Sequence, residues 1–163
     1  NHYVGRTFIE PTQKIRQLGI KLKHNPNKKL IKGKKVILID DSIVRGTTAI
    51  KIVEMVREAE ASEVHMRVSS PPIRFPDYYG IDTPKKEELL AANNSIKEMK
   101  NKLKLDSLHF LSLEGLYKSM GLAKRNSLSP QFTDHCFSGD YPTELTDKNE
   151  GILSSQLSLL SDN

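Results

Sequence analysis

The feature that most restricts the fold is a double change of hydrophobic period between residues 36 and 68. Val36-Ile-Leu-Ile39 is a continuous apolar run, the pattern of a parallel strand covered on both faces. Asp40 and Asp41 follow, then a short Gly/Thr-rich turn that ends at Thr48. Ala49, Ile52, Val53, Val56 and Ala59 next recur at helical spacing, which places one apolar stripe along a helix over residues 48–60. Val64-His-Met-Arg-Val68 alternates, as a strand does. Strand, helix and strand within about 30 residues predict a right-handed βαβ unit. The fold class that follows is α/β: an open, mostly parallel sheet with flanking helices.

Ser70-Pro-Pro-Ile-Arg-Phe-Pro76 carries three prolines and predicts a rigid loop. It leaves the carboxyl end of the second strand, the edge where open α/β sheets bind ligands. Thr83 as N-cap and Pro84 at the first helical position predict a helix that runs on through Glu87 to Ala92. A further helix is expected from Ser95 to about Leu103, a short strand over residues 108–111, and a helix capped by Ser112 and stopped at Gly121. Residues 1–30 are broken by Gly5, Pro11, Gly19 and Asn25-Pro-Asn27. Apart from a short helix at 13–18, they read as a mobile arm. Beyond Lys124 the chain is polar, and residues 151–163 are expected to form a loose tail.

Composition narrows the class. No apolar run approaches the roughly 20 residues that cross a bilayer, and the first residues lack the apolar core of a signal peptide. Cys136 is the sole cysteine, which excludes an internal disulfide and any site built from several cysteines of this chain. A cytoplasmic setting with no membrane partner is expected. The opening residue is Asn, so the chain is expected to belong to a longer polypeptide. Residues 1–35 hold ten Lys and Arg against Glu10 alone, while the rest is net acidic. A basic lead-in favours an anionic ligand, although a solvated face would read the same way. Nucleic acid is not expected, because only Tyr3 and Phe8 offer rings for base stacking there.

What could the acid pair and the turn do together? Where the strand ends, both carboxylates can reach one sugar, or a Mg²⁺ through hard oxygen ligands. Gly46 lets the backbone approach a phosphate without a Cβ. Ser42, Thr47 and Thr48 add hydroxyls, and a helix start favours anions. Asp-Asp alone is also a common turn, and Thr47 and Thr48 are ordinary helix caps. The strand, acid pair, turn and helix in this order favour a sugar-phosphate cradle.

Asp40-Asp-Ser-Ile-Val-Arg-Gly-Thr-Thr48 resembles the phosphoribosylpyrophosphate (PRPP) loop of type I phosphoribosyltransferases. Asn1-His-Tyr-Val-Gly-Arg-Thr-Phe-Ile-Glu-Pro11, Ser69-Ser-Pro-Pro-Ile-Arg-Phe-Pro76, Tyr79-Gly-Ile-Asp82 and Tyr141-Pro-Thr-Glu144 resemble the glutamine PRPP amidotransferases, or amidophosphoribosyltransferases. The likeness runs from residue 1 to about residue 147. It implies part of a type I phosphoribosyltransferase fold, with a flexible active-site loop at 1–30, an incomplete core at 31–123, and an extension and tail at 124–163. The implied reaction is the committed step of purine (IMP) synthesis. Ammonia from glutamine displaces pyrophosphate from C1 of PRPP, giving 5-phosphoribosylamine, and a separate glutaminase domain supplies the ammonia.

The same resemblance implies the site. Asp40 and Asp41 would hold the ribose hydroxyls and Mg²⁺. Ser42, Ile43, Val44, Arg45, Gly46, Thr47 and Thr48 would cradle the 5-phosphate. Tyr3 and Arg6 would reach PRPP from the closing arm. A homo-oligomer inhibited by purine nucleotides is implied as well. Some family members carry a four-cysteine iron–sulfur cluster, but Asp77 stands where such members have a cysteine and Cys136 is the one thiol, so no cluster is expected. His135 adjoins Cys136, yet sequence neighbours in a loop rarely form a nucleophile–base pair, and His2, His24, His65 and His109 stand singly. No general base on this chain is expected. The alternative is a non-catalytic regulatory module that keeps the loop in order to sense PRPP.

Overall fold

The structure is a computed structural model, and it describes residues 26–81 and 83–145. Three strands, β1 (Lys35–Asp40), β2 (Glu63–Val68) and β3 (Ser107–Phe110), form one parallel sheet in the order β1-β2-β3. The β1–β2 ladder runs from Lys35 opposite Glu63 to Asp40 opposite Val68. Helix α1 (Lys28–Ile31) precedes the sheet, and α2 (Thr47–Glu58) joins β1 to β2. After β2 come α3 (Ile96–Lys102), α4 (Leu113–Ser119) and the single turn α5 (His135–Ser138). The parallel sheet and its flanking helices are as the sequence predicts.

One face of the sheet is the core. Alternation in β2 turns Val64, Met66 and Val68 inward, each no more than 4% exposed. Val53 and Val56 of α2, Met99 of α3, and Leu103 and Leu105 just beyond it pack on them in one cluster. α3 starts with a full capping box. The Ser95 hydroxyl accepts from Glu98 N, and the Glu98 carboxylate accepts from Ser95 N. The Ser112 hydroxyl caps α4 by accepting from Gly115 N, and Gly121 follows at φ +82.

Three expectations need correction. β1 is not covered on both faces: Val36 and Leu38 pack on the core, but Ile37 and Ile39 are 60% and 80% exposed. An apolar run shows that a strand can be covered twice, and no described element lies over that second face. The helix predicted from Thr83 is only a 3₁₀ turn over Lys86–Glu88. The Thr83 hydroxyl accepts from Asp77 N instead of capping a helix, and Asn93 takes the carbonyls of Lys86, Glu87 and Leu89 on its side-chain amide. Those carbonyls are satisfied with no helix to receive them. Residues 28–30, read as the end of an arm, instead belong to α1. Asn27 caps it, and Lys28 and Lys32 pair with Glu60, whose carboxyl is held at about 2 by hydrogen bonds from Lys28 and then Lys32.

The described residues past Lys124, 125–145, also pack against the rest of the structure. Residues 134–143 lie against the proline-rich loop: Arg74 N and Phe75 N donate to Cys136 O, and the Tyr141 hydroxyl donates to Pro76 O. Gly139, at φ +82, sits where a Cβ would come 2.8 Å from the Phe75 ring. Glycine is required there on both counts.

Leu103 is fully buried in the cluster. Leu103→Ala is expected to cost about 2–5 kcal/mol. Urea unfolding of the intact protein would show this as a lower midpoint with an unchanged slope.

Candidate functional site

The carboxyl ends of the strands form the floor of the site. Asp40 closes β1, and its carbonyl accepts from Ser69 N at 2.9 Å and from the Ser69 hydroxyl at 3.2 Å. The start of the proline-rich loop is thereby tied to the acid pair. Leu111 N donates to Val68 O, which brings the end of β3 to the same edge. The two acids are set by short backbone turns: Asp40 Oδ1 accepts from Asp41 N at 3.0 Å, and Asp41 Oδ1 accepts from Ser42 N at 2.7 Å. Asp40 is half-buried and Asp41 exposed, so the pair spans the boundary between sheet and solvent.

Residues 42–48 then turn the chain into α2. Ile43 is 2% exposed and joins the core, so it acts as an anchor. The Val44 carbonyl accepts from Leu90 N at 2.9 Å. Gly46 is the N-cap of α2 at φ +80 and makes no side-chain cap. The first helical bond runs from Ile50 N to Gly46 O, so the N–H groups of Thr47, Thr48 and Ala49 precede the ladder at the helix start. Thr47 and Thr48 are exposed. Backbone donors, two hydroxyls and a helix dipole thus lie close in the chain to two carboxylates, an arrangement chemically suited to an anion on one side and to hydroxyls or a hard cation on the other. Arg45 pairs with Glu88, Nε to Oε2 at 2.8 Å. Tyr3 and Arg6 lie outside the described residues.

No family model matches the chain. Sequence comparison finds an amidophosphoribosyltransferase of Rhizobium etli that is 58% identical over 164 residues, taking in 100% of this chain and 33% of that protein. The Bacillus subtilis amidophosphoribosyltransferase is 49% identical over 145 residues, 89% of this chain and 30% of that protein. The chain is homologous to one segment of the amidophosphoribosyltransferases. It spans about a third of the length of these relatives. Among solved structures, the glutamine PRPP amidotransferase of B. subtilis, complexed with ADP and GMP, superposes with a TM-score of 0.73 at 47% identity over 91% of this chain and 32% of that one. A second structure, described as the allosteric regulatory enzyme of purine biosynthesis, gives 0.67 at 44% identity. The sheet and its helices are therefore the type I phosphoribosyltransferase fold of these amidotransferases.

A second polar cluster lies behind the proline-rich loop. Asp77 Oδ2 meets His135 Nε2 at 2.7 Å, and both side chains are at most 5% exposed. Cys136 Sγ is 3.9 Å from the same oxygen. Burial foremost, then the Asp77 charge, pushes the thiol up to about 11, which disfavours a reactive thiolate. Beside this trio, Asp134 accepts from Arg125, Tyr117 and Ser138, and Arg125 also reaches Asp140. Burial would raise the Asp134 carboxyl, but hydrogen bonds from Arg125, Ser138 and Tyr117 bring it below the ordinary range. Sequence reasoning missed this knot. The sequence offers Asp77, His135 and Cys136 singly, but Asp77 lies nearly sixty residues from His135, and Asp134, Tyr117 and Arg125 carry no local pattern. His65, by contrast, sits in β2 between Glu63 and Ser107, as its strand context suggests.

Burial of Asp77 would raise its carboxyl, yet Ile81 N, Tyr79 N and His135 outweigh burial and lower it. The stability it contributes is complete above the unfolded value of about 3.9 and is lost as pH falls through the lower folded value. Asp77→Asn in the intact protein is expected to lower Tm at pH 7 and to flatten the fall of Tm below about pH 4. Parallel Tm profiles for the two proteins would contradict this account.

Proposed function

We propose that the protein bearing this chain is an amidophosphoribosyltransferase, and that residues 40–48 form its PRPP site. The observation that carries the reading is the placement of Asp40 and Asp41 at the carboxyl end of β1, directly before the Gly46 turn into α2. The likeness to amidophosphoribosyltransferases over the whole chain supports it. Ammonia attacks C1 of the ribose, pyrophosphate departs with the bonding electrons, and the new C1 ammonium loses one proton to solvent to give 5-phosphoribosylamine. This is a pentosyl transfer that opens purine synthesis.

Each part of the site answers one demand of that reaction. The ring gathers positive charge as the leaving group departs, and carboxylates at its hydroxyls favour that charge. The N–H groups at the start of α2, with the hydroxyls of Thr47 and Thr48, hold the 5-phosphate and so fix C1 relative to the nucleophile. Neutral ammonia has a free lone pair, so attack needs no general base. The carboxylates of Asp40 and Asp41 are hard oxygen donors and fit Mg²⁺, which would offset charge on the departing pyrophosphate. The basic segment at 1–23, with Tyr3 and Arg6, is proposed to close over PRPP and exclude water, which competes for C1. Glutamine-derived ammonia, purine-nucleotide regulators, a homo-oligomer and a cytoplasmic location complete the proposal.

The test is phosphoribosylamine formation from PRPP, Mg²⁺ and ammonia by the intact protein. Asp40→Asn with Asp41→Asn is expected to lower the rate by at least about 10²–10³-fold, with circular dichroism unchanged. Wild-type turnover in the double variant would remove the site assignment.

A further inference from the structure

Three consecutive residues of the proposed phosphate cradle meet one turn of the chain more than forty residues away. Leu90 N donates to Val44 O at 2.9 Å. Glu88 Oε2 accepts from Arg45 Nε at 2.8 Å. Leu90 Cδ2 lies 2.7 Å from the place a Cβ on Gly46 would occupy, so the side chain seats directly on the glycine. The turn is itself held stiffly. A single amide, Asn93 Nδ2, shares its two N–H groups among the carbonyls of residues 86, 87 and 89 at 2.9, 3.0 and 2.9 Å. Asn94 Nδ2 donates to Leu90 O at 2.8 Å, and Leu89 is wholly buried.

A cradle of backbone N–H groups binds well only if they converge before the anion arrives. Otherwise the ordering of the loop is charged against affinity. Gly46 makes this acute, because its φ of +80 lies in the left-handed region and glycine is also free to leave it. We infer that the turn at residues 86–94, acting through Glu88 and Leu90, is the brace that holds the cradle in its anion-accepting shape, and that Arg45 serves this brace and not the phosphate. Glu88 and Leu90 are thus positioning residues. The inference rests on the functional reading above and adds to it the element that preorganises the PRPP loop.

The brace makes a KM-selective prediction. With ammonia as nitrogen donor, Leu90→Ala in the intact protein is expected to raise the KM for PRPP about tenfold, equivalent to about 1.4 kcal/mol. Glu88→Ala breaks an exposed pair and is expected to raise it about threefold. In both, the change falls on the KM for PRPP, while kcat and the KM for ammonia stay within about twofold, as expected when substrate binding alone is weakened. Glu88→Gln keeps an oxygen for Arg45 Nε and is expected to recover most of the loss. Arg45→Ala should match Glu88→Ala, and the double variant should be no worse than either single one.

A PRPP KM unchanged in both Leu90→Ala and Glu88→Ala would overturn the brace. So would additive effects of Arg45→Ala and Glu88→Ala, or a lower KM in Glu88→Ala, which would make Arg45 a direct phosphate ligand. Should Leu90→Ala fail to fold, the exposed Glu88 and Arg45 variants decide the matter. Wild-type protein without PRPP-dependent turnover would sink the functional reading, and the brace with it. Active wild type with insensitive variants sinks the brace alone.

Discussion

The site depends on the burial of Ile43. The chain must leave a parallel strand, pass a pair of carboxylates and enter a helix within seven residues, and nearly every group on that path prefers water. Of its two branched apolar residues, Val44 is half-buried and Ile43 is the one that enters the main cluster, at 2% exposure. Burying one such side chain is worth about 1.5–3 kcal/mol. It pins the middle of the turn while the polar groups on either side stay at the surface. Asp40 and Asp41 are left on the strand side and the helix-start N–H groups on the other. Gly46 and Leu90 complete the joint, since one supplies the left-handed turn and the other fills the space a side chain would have taken.

A second stabilising centre lies on the far side of the proline-rich loop. Asp134 brings Arg125, Tyr117 and Ser138 to one buried carboxylate, and Asp77 joins the next residue, His135. These contacts hold residues 134–143 against the loop that departs from the acid pair through Ser69. Two polar networks therefore flank the same loop, one at its start and one behind it. Taking away one partner of a buried charged group costs far more than the intact pair contributes, so the second network is sensitive to single changes.

Much of the fold was legible in the sequence because it depends on short-range period. The β1–α2–β2 unit, the α3 helix that starts at Ser95 and the Ser112 cap of α4 each follow from residues close together in the chain. The reading failed where a distant partner decided. Thr83 and Pro84 have the makings of a helix start, but Asp77 takes the threonine hydroxyl and Asn93 takes the carbonyls. Residues 125–143 show no period at all, because they are held by single polar contacts to remote residues. Of the proposed site, the acid pair and the glycine turn were visible, whereas the Glu88–Arg45 pair and the Leu90 seat were not.

The sequence by itself determined the order of parts: apolar strand, two acids, glycine turn, amphipathic helix, and with them the family resemblance. Those are local properties, written in the spacing of side chains along a backbone with two fixed periods. Only the tertiary structure decided which face of β1 is covered, where residues 125–145 fold, and what holds the cradle in shape. Each of these turns on contacts between residues far apart in the chain, and their strength depends on burial and geometry that linear spacing does not encode.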